Sequence, residues 1–291
     1  MVFSDVSSSR WMVAAVLPLL IAVYGLKRKS LDRSGAIAGI VLAQVLILAN
    51  YGFLAELFVF FIAGSRITKF RQHIKAKIVN DYKEGGGRNW KQVLCTGGVA
   101  GVCAVLYLIK CGSGETWMDM RLHHHSTVLS VAVLGSLSCA NGDTFSSEIG
   151  TVVGLGDPWL ITTFKRVPKG TNGGVSPTGT LASIIGGTMV GLGHFIINYL
   201  CLPSPPPSLA TPQHCLVWLG ALGGLLGSIL DSILGATFQY SGIDRSGAIV
   251  NEPGKGVRHV SGMNLLSNHM VNLISEIITA LLLPALLYLL Y

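Results

Sequence analysis

The chain has 291 residues, half of them hydrophobic and only 12% charged, with a formal net charge of +7. Its mean hydropathy is +0.57, and its charged fraction is about half that of an ordinary soluble domain, which excludes that class. The apolar residues fall in long blocks without amphipathic spacing. They predict an all-α, polytopic transmembrane helix bundle of about 7–8 spans.

The blocks lie at 11–26, 35–49, 51–64, 92–109, 126–142, 180–200, 215–237 and 271–291, in a single integral membrane domain over 1–291. The first ends at Lys27-Arg28-Lys29, the reverse of a cleavable signal peptide, and reads as a retained anchor. The stretch 35–64 as one helix would be roughly 45 Å long, against a ~30 Å hydrocarbon core. Asn50-Tyr51-Gly52 marks a turn in its middle, so a short helical hairpin is expected.

With that hairpin, the loops 27–34, 65–91, 143–179 and 238–270 share one side and hold 18 of the 21 Lys and Arg. The positive-inside rule makes that side cytosolic. The basic loop 65–91 lies beside membrane helices with no aromatic platform, so no nucleic acid is expected as a partner. The lipid bilayer is. Endoplasmic reticulum or another endomembrane is the default location, and no retrieval signal refines it.

Six cysteines show neither CxxC nor Cys/His zinc spacing. Cys201 and Cys215 flank a proline-rich loop, where free thiols are favoured over a bridge. His123-His124-His125 reads as a solvated loop triplet.

The distinctive polar sequence gathers at the cytosolic ends. In "FKRVPKGTNGGVSPTGT" (164–180), Lys165, Arg166 and Lys169 precede Thr171, Asn172, Gly173 and Gly174. Ser176, Gly179 and Thr180 then open an apolar helix. Glycines let backbone N–H groups turn toward an anion, and a helix N-terminus adds attraction. A plain glycine turn with a Ser cap fits the same residues.

In "NGDTFSSEIG" (141–150), Asn141 and Asp143 stand two apart near a helix end and are candidates to hold one Mg²⁺, with Glu148 as second ligand or structural partner. The competing reading has Asp143 capping a helix that begins at Thr144. Asp231, inside an apolar helix, is a functional candidate and a possible metal ligand. Asn268 and Asn272, at i and i+4, bind oxygens or glue helices. Arg88 in "GGGRNWKQVL" is another candidate. Glu56 and Glu276 have no evident partner. The hexapeptide "DRSGAI" occurs at 32–37 and 244–249, and Asp32 and Ser34 of the first copy open the hairpin.

Together, "GGGRNWKQVL", "NGDTFSSEIG", "TTFKRVPKGTNGGVSPTGT", "DSILGATFQ" and "NHMVNLIS" resemble the transmembrane protein 19 / phytyl-phosphate kinase family of integral membrane proteins. "GDTFSSEIG" is also similar to the GD-x-x-A-x-x-x-G segment of CTP-dependent phytol and dolichol kinases, with Ser146 in place of alanine. The resemblance implies a Mg-dependent membrane kinase. It would pass phosphate from a nucleoside triphosphate, typically CTP, to an isoprenoid monophosphate, with Asp143, Glu148 and Lys169 as catalytic candidates. A CTP-using cytidylyltransferase needs the same metal and phosphate loop, and a non-enzymatic transporter is the third class.

Overall fold

The computed structural model describes residues 6–78, 86–154 and 156–290. Residues 79–85 of the expected basic loop lie outside the described residues. Each apolar block forms helix. Among the described residues the helices are α1 (Ser8–Lys27), α2 (Arg33–Ala49), α3 (Tyr51–Lys69), α4 (Gln72–Ile78), α5 (Trp90–Cys95), α6 (Gly98–Cys111), α7 (His124–Val153), α8 (Pro177–Cys201), α9 (Cys215–Phe238) and α10 (Asn268–Leu290). Six are long and apolar enough to cross a membrane, and α2 and α6 are shorter apolar helices. The result is a polytopic helical bundle.

The hairpin forms as expected. Asn50 ends α2 and caps α3, its Oδ1 accepting from Gly52 N at 2.6 Å. The block at 92–109 is interrupted, because the chain turns at Thr96-Gly97 between α5 and α6.

The central helix departs from expectation. α7 runs to Val153, so the first residues of the expected 143–179 loop are helical. The hydroxyls of Thr144, Ser147 and Thr151 donate to the carbonyls of Ala140, Asp143 and Ser147. Such back-bonding occupies the polar side chains within the helix, and packing against neighbouring helices carries α7 on. Asp143 is therefore a mid-helix residue, not a cap.

Around α7 pack α3, α6, α8, α9 and α10. Small residues set the spacing near the site: a Cβ added at Gly142 would lie 2.5 Å from Gly224 Cα. α8 and α9 approach as closely, since a Cβ at Gly187 would lie 2.1 Å from the Gly220 carbonyl oxygen.

Short strands cover the basic side. β1 (Trp159–Leu160) pairs antiparallel with β2 (Gly174–Val175). β3 (Ser241–Ile243) is flanked by β4 (Ile249–Val250) and β5 (Arg258–Ser261). On the opposite side, Arg10 forks onto Glu115 at 2.7 and 2.8 Å and ties α1 to the loop after α6. All six cysteines are free thiols.

Candidate functional site

One stripe of α7 organises the site. Asp143, Ser147 and Thr151 stand at i, i+4 and i+8, which places them in a row on one helix face. All three line two polar cavities at once. Ser146 and Gly150, on one flank, face a cavity of about 190 Å³. Thr144 and Glu148, on the other, face a wider one of about 400 Å³. The row is a ridge between the two, and Gly170 and Asn268 also belong to both walls.

The narrower cavity is closed by Lys169, Gly170, Thr171, Asn172, Gly173, Gly174 and Ser176 of the glycine-rich loop, and by Asp231. Lys169 is braced there, its Nζ donating to the Gly154 carbonyl at 2.7 Å. Gly173 has φ +77°, and a Cβ would lie 2.4 Å from that of Ala236, so only glycine fits against α9. Ser176 caps α8, accepting from Gly179 N at 3.1 Å. The positive end of α8 thus faces this cavity.

The wider cavity is lined by Lys75, Arg88, Gln92, Thr96, Asn272 and Glu148 among others. Glu148 is bonded to Lys75 of α4. Arg88 is 7% exposed, with Nη1 donating to Ser65 Oγ at 3.2 Å. Burial lowers its pKa to about 10, and the charge of Glu148 opposes that drop. Its backbone is held by Ser30 and Asp32, whose carbonyl and amide bond it at 3.1 Å.

The carboxylates divide by partner. Glu148 has its lysine. Asp143 and Asp231 form no salt bridge among the described residues. Asn272, in the amide orientation that satisfies both partners, donates to Asp231 Oδ2 at 3.1 Å. Two hard carboxylates facing one small cavity, with room for water and phosphate oxygens, suit a hard divalent cation. Among the described residues no three His, Cys, Asp or Glu side chains converge on a metal position. Such an ion would draw the rest of its shell from substrate and water.

Several expected site residues lie elsewhere. Asn141, two positions from Asp143, points about 200° around the helix. It is buried and donates to the Gly186 carbonyl at 2.8 Å, so the joint Asn141–Asp143 cation pair is not formed. Lys165 and Arg166 are exposed between β1 and β2, and Arg166 stacks 3.8 Å from the Trp159 ring centroid. Gly179 and Thr180 do not line the cavity, since they sit within the first turn of α8. Asn172 lines it, but its amide is engaged by Tyr240 O and Asn251 Oδ1.

Asp32 caps α2 through Gly35 N at 2.7 Å, and Ser34 Oγ accepts from Trp90 N. They hold the segment carrying Arg88 and do not face the cavities. Glu56 and Glu276 have partners after all: His194 Nδ1 at 2.5 Å and Ser136 Oγ at 2.9 Å. Lys75 was hidden in a generally basic stretch and had no distinguishing signal. The Asp143-Ser147-Thr151 stripe was visible, once its segment is read as helix.

The family model described as "Integral membrane protein DUF92" matches residues 16–280. The chain belongs to the DUF92 family. This DUF92 member is 42% identical to Protein PGR of Arabidopsis thaliana over 274 residues, 94% of each chain. It is 28% identical to an uncharacterized membrane protein of Methanocaldococcus jannaschii over 237 residues, 80% of this chain and 85% of that one. Protein VTE6, chloroplastic, of Arabidopsis thaliana is 30% identical over 237 residues, 80% of this chain and 64% of its own length. No solved structure matches. The chain is a multi-pass integral membrane protein.

Proposed function

We propose that the chain is a membrane kinase that transfers the γ-phosphoryl group of a nucleoside triphosphate to an isoprenoid monophosphate. CTP is the expected donor, and the resemblance to phytyl-phosphate kinases supports both assignments. The observation that carries the reading is the α7 ridge, which belongs to a glycine-rich cavity on one flank and an arginine-bearing cavity on the other. A reaction between two phosphate compounds needs such a shared wall.

Phosphoryl transfer depends on positioning and on neutralising charge more than on covalent chemistry from the protein. Lys169 and the N-terminus of α8 bind the triphosphate. Arg88 and Lys75 receive the acceptor phosphate. An oxygen of that phosphate bonds to the γ-phosphorus while the bond to the β–γ bridging oxygen breaks, leaving CDP and the isoprenoid diphosphate. The attacking oxygen is already ionised, so no general base is required, and Asp143 and Asp231 serve as Mg²⁺ ligands. Mg²⁺, when bound, neutralises charge on the phosphate oxygens.

Purified protein with Mg²⁺, CTP and a panel of prenyl monophosphates tests the reading. Release of CDP with a prenyl diphosphate is expected. Release of pyrophosphate with a CDP-lipid would replace the kinase with a cytidylyltransferase, and no turnover across nucleotides and lipids would contradict both.

A further inference from the structure

Asp231 is a carboxylate in an apolar helix, and a neutral side chain meets it. It lines the narrower cavity from α9, and among the described residues it forms no salt bridge. Asn272 of α10 reaches it from the wall of the wider cavity. In the orientation that satisfies its neighbours, the Asn272 amide donates to Asp231 Oδ2 at 3.1 Å and to the Asn268 carbonyl at 2.9 Å. Both amide hydrogens are therefore engaged. The second bond runs one turn back along α10, so it ties the side chain to its own helix and fixes the direction in which the first is offered.

The kind of partner matters as much as its position. Glu148, in the wall of the wider cavity, is paired with Lys75, a cation that competes with any metal for its charge. An amide N–H orients a carboxylate without neutralising it, and so leaves the charge to whatever cation enters the cavity. Hydrogen bonds of this kind set the direction of a ligating side chain, and losing one typically weakens metal binding by about 10–100-fold. The geometry also joins the two cavities. Asn268, whose carbonyl holds Asn272, belongs to both walls.

We propose that Asn272 is a positioning residue: from the wall of the wider cavity it sets the Asp231 carboxylate for a divalent cation held in the narrower one. The cation's part in catalysis rests on the kinase reading, and its binding does not.

The test uses the full-length protein in phosphatidylcholine nanodiscs, with Mn²⁺ alone as the probe and the amplitude of its free-ion electron paramagnetic resonance signal as the readout. Asn272→Leu keeps most of the side-chain volume, Asn272→Ala gives it up, and both remove the donor. Each should weaken Mn²⁺ binding by about 10–100-fold, and to the same degree. In an Asp231→Asn background neither should weaken it by more than about a further twofold, because the carboxylate that Asn272 sets is gone. A purely structural role would carry its loss into that background.

No Mn²⁺ binding by the wild type, wild-type affinity in either Asn272 variant, a loss that follows side-chain size, or an equal loss in the Asp231→Asn background would each overturn the inference. The expected pattern without phosphoryl transfer would support it and overturn the kinase reading. Phosphoryl transfer from CTP, with Mn²⁺ affinity indifferent to Asn272, would do the reverse.

Discussion

Glu56 and Asp143 are both carboxylates in apolar helices of one bundle, and their surroundings differ. Glu56 has no exposed surface and meets His194 across the α3–α8 contact at 2.5 Å. Asp143 lines two polar cavities, and among the described residues nothing hydrogen-bonds its carboxylate. Glu276, bonded to Ser136, belongs with Glu56. Asp231 stands between the two kinds, facing the narrower cavity while accepting from Asn272 of α10 at 3.1 Å. Ionisable groups inside a membrane are expensive wherever they sit. A paired one joins two helices, whereas one left facing a cavity is free to bind what enters it.

The comparison breaks most readily at its two ends. Asp143→Asn should lower phosphoryl transfer at least about 10³-fold while the melting temperature holds or rises. Glu56→Ala leaves His194 buried without its partner and should destabilise the fold by about 3–5 kcal/mol, read as a lower Tm. Equal losses of stability in the two variants would erase the distinction.

A smaller effect sharpens it within the glycine-rich loop. Lys169→Ala should lower kcat/KM for the nucleotide about a hundredfold, and Lys165→Ala, exposed and outside the cavity, should stay within about twofold. Steady-state kinetics on both variants decides it.

Arg88 gives the smallest effect. Arg88→Lys should raise the acceptor KM about tenfold without moving the nucleotide KM, because a lysine cannot reproduce the bidentate fork. Burial brings the guanidinium pKa down to about 10. The charged form that binds phosphate therefore persists below that value. The acceptor KM should be flat from about pH 7 to 9 and rise above about pH 10. An unchanged acceptor KM in Arg88→Lys would remove Arg88 from the acceptor site.

Much of the fold was legible because apolar blocks carry their own length rule. The hairpin at 35–64 needed only Asn50, a capping residue at a turn, to be placed. The end of α7 was not legible. Thr144, Ser147 and Thr151 are residues that compete with helix in isolation, and the packing of α7 against its neighbours outweighs that preference while their hydroxyls back-bond within the helix. The two "DRSGAI" copies make the same point. In both, serine Oγ donates to the aspartate two residues earlier, at 2.7 and 2.6 Å. The first copy then opens α2, and the second closes the β3–β4 turn.

Within the site, the loop 169–176 could be found from glycine, lysine and a cap in sequence. Local spacing carried no trace of Asn272 reaching Asp231 or Lys75 reaching Glu148, because both contacts join distant segments.

The most direct measurement follows label from γ-labelled CTP into lipid for wild type and Asp143→Asn, each shown to be folded and to bind prenyl monophosphate. The wild type should yield labelled diphosphate in the presence of Mg²⁺, and the variant almost none. Equal incorporation by the two proteins would contradict a shared ridge at Asp143 as the place where donor and acceptor meet.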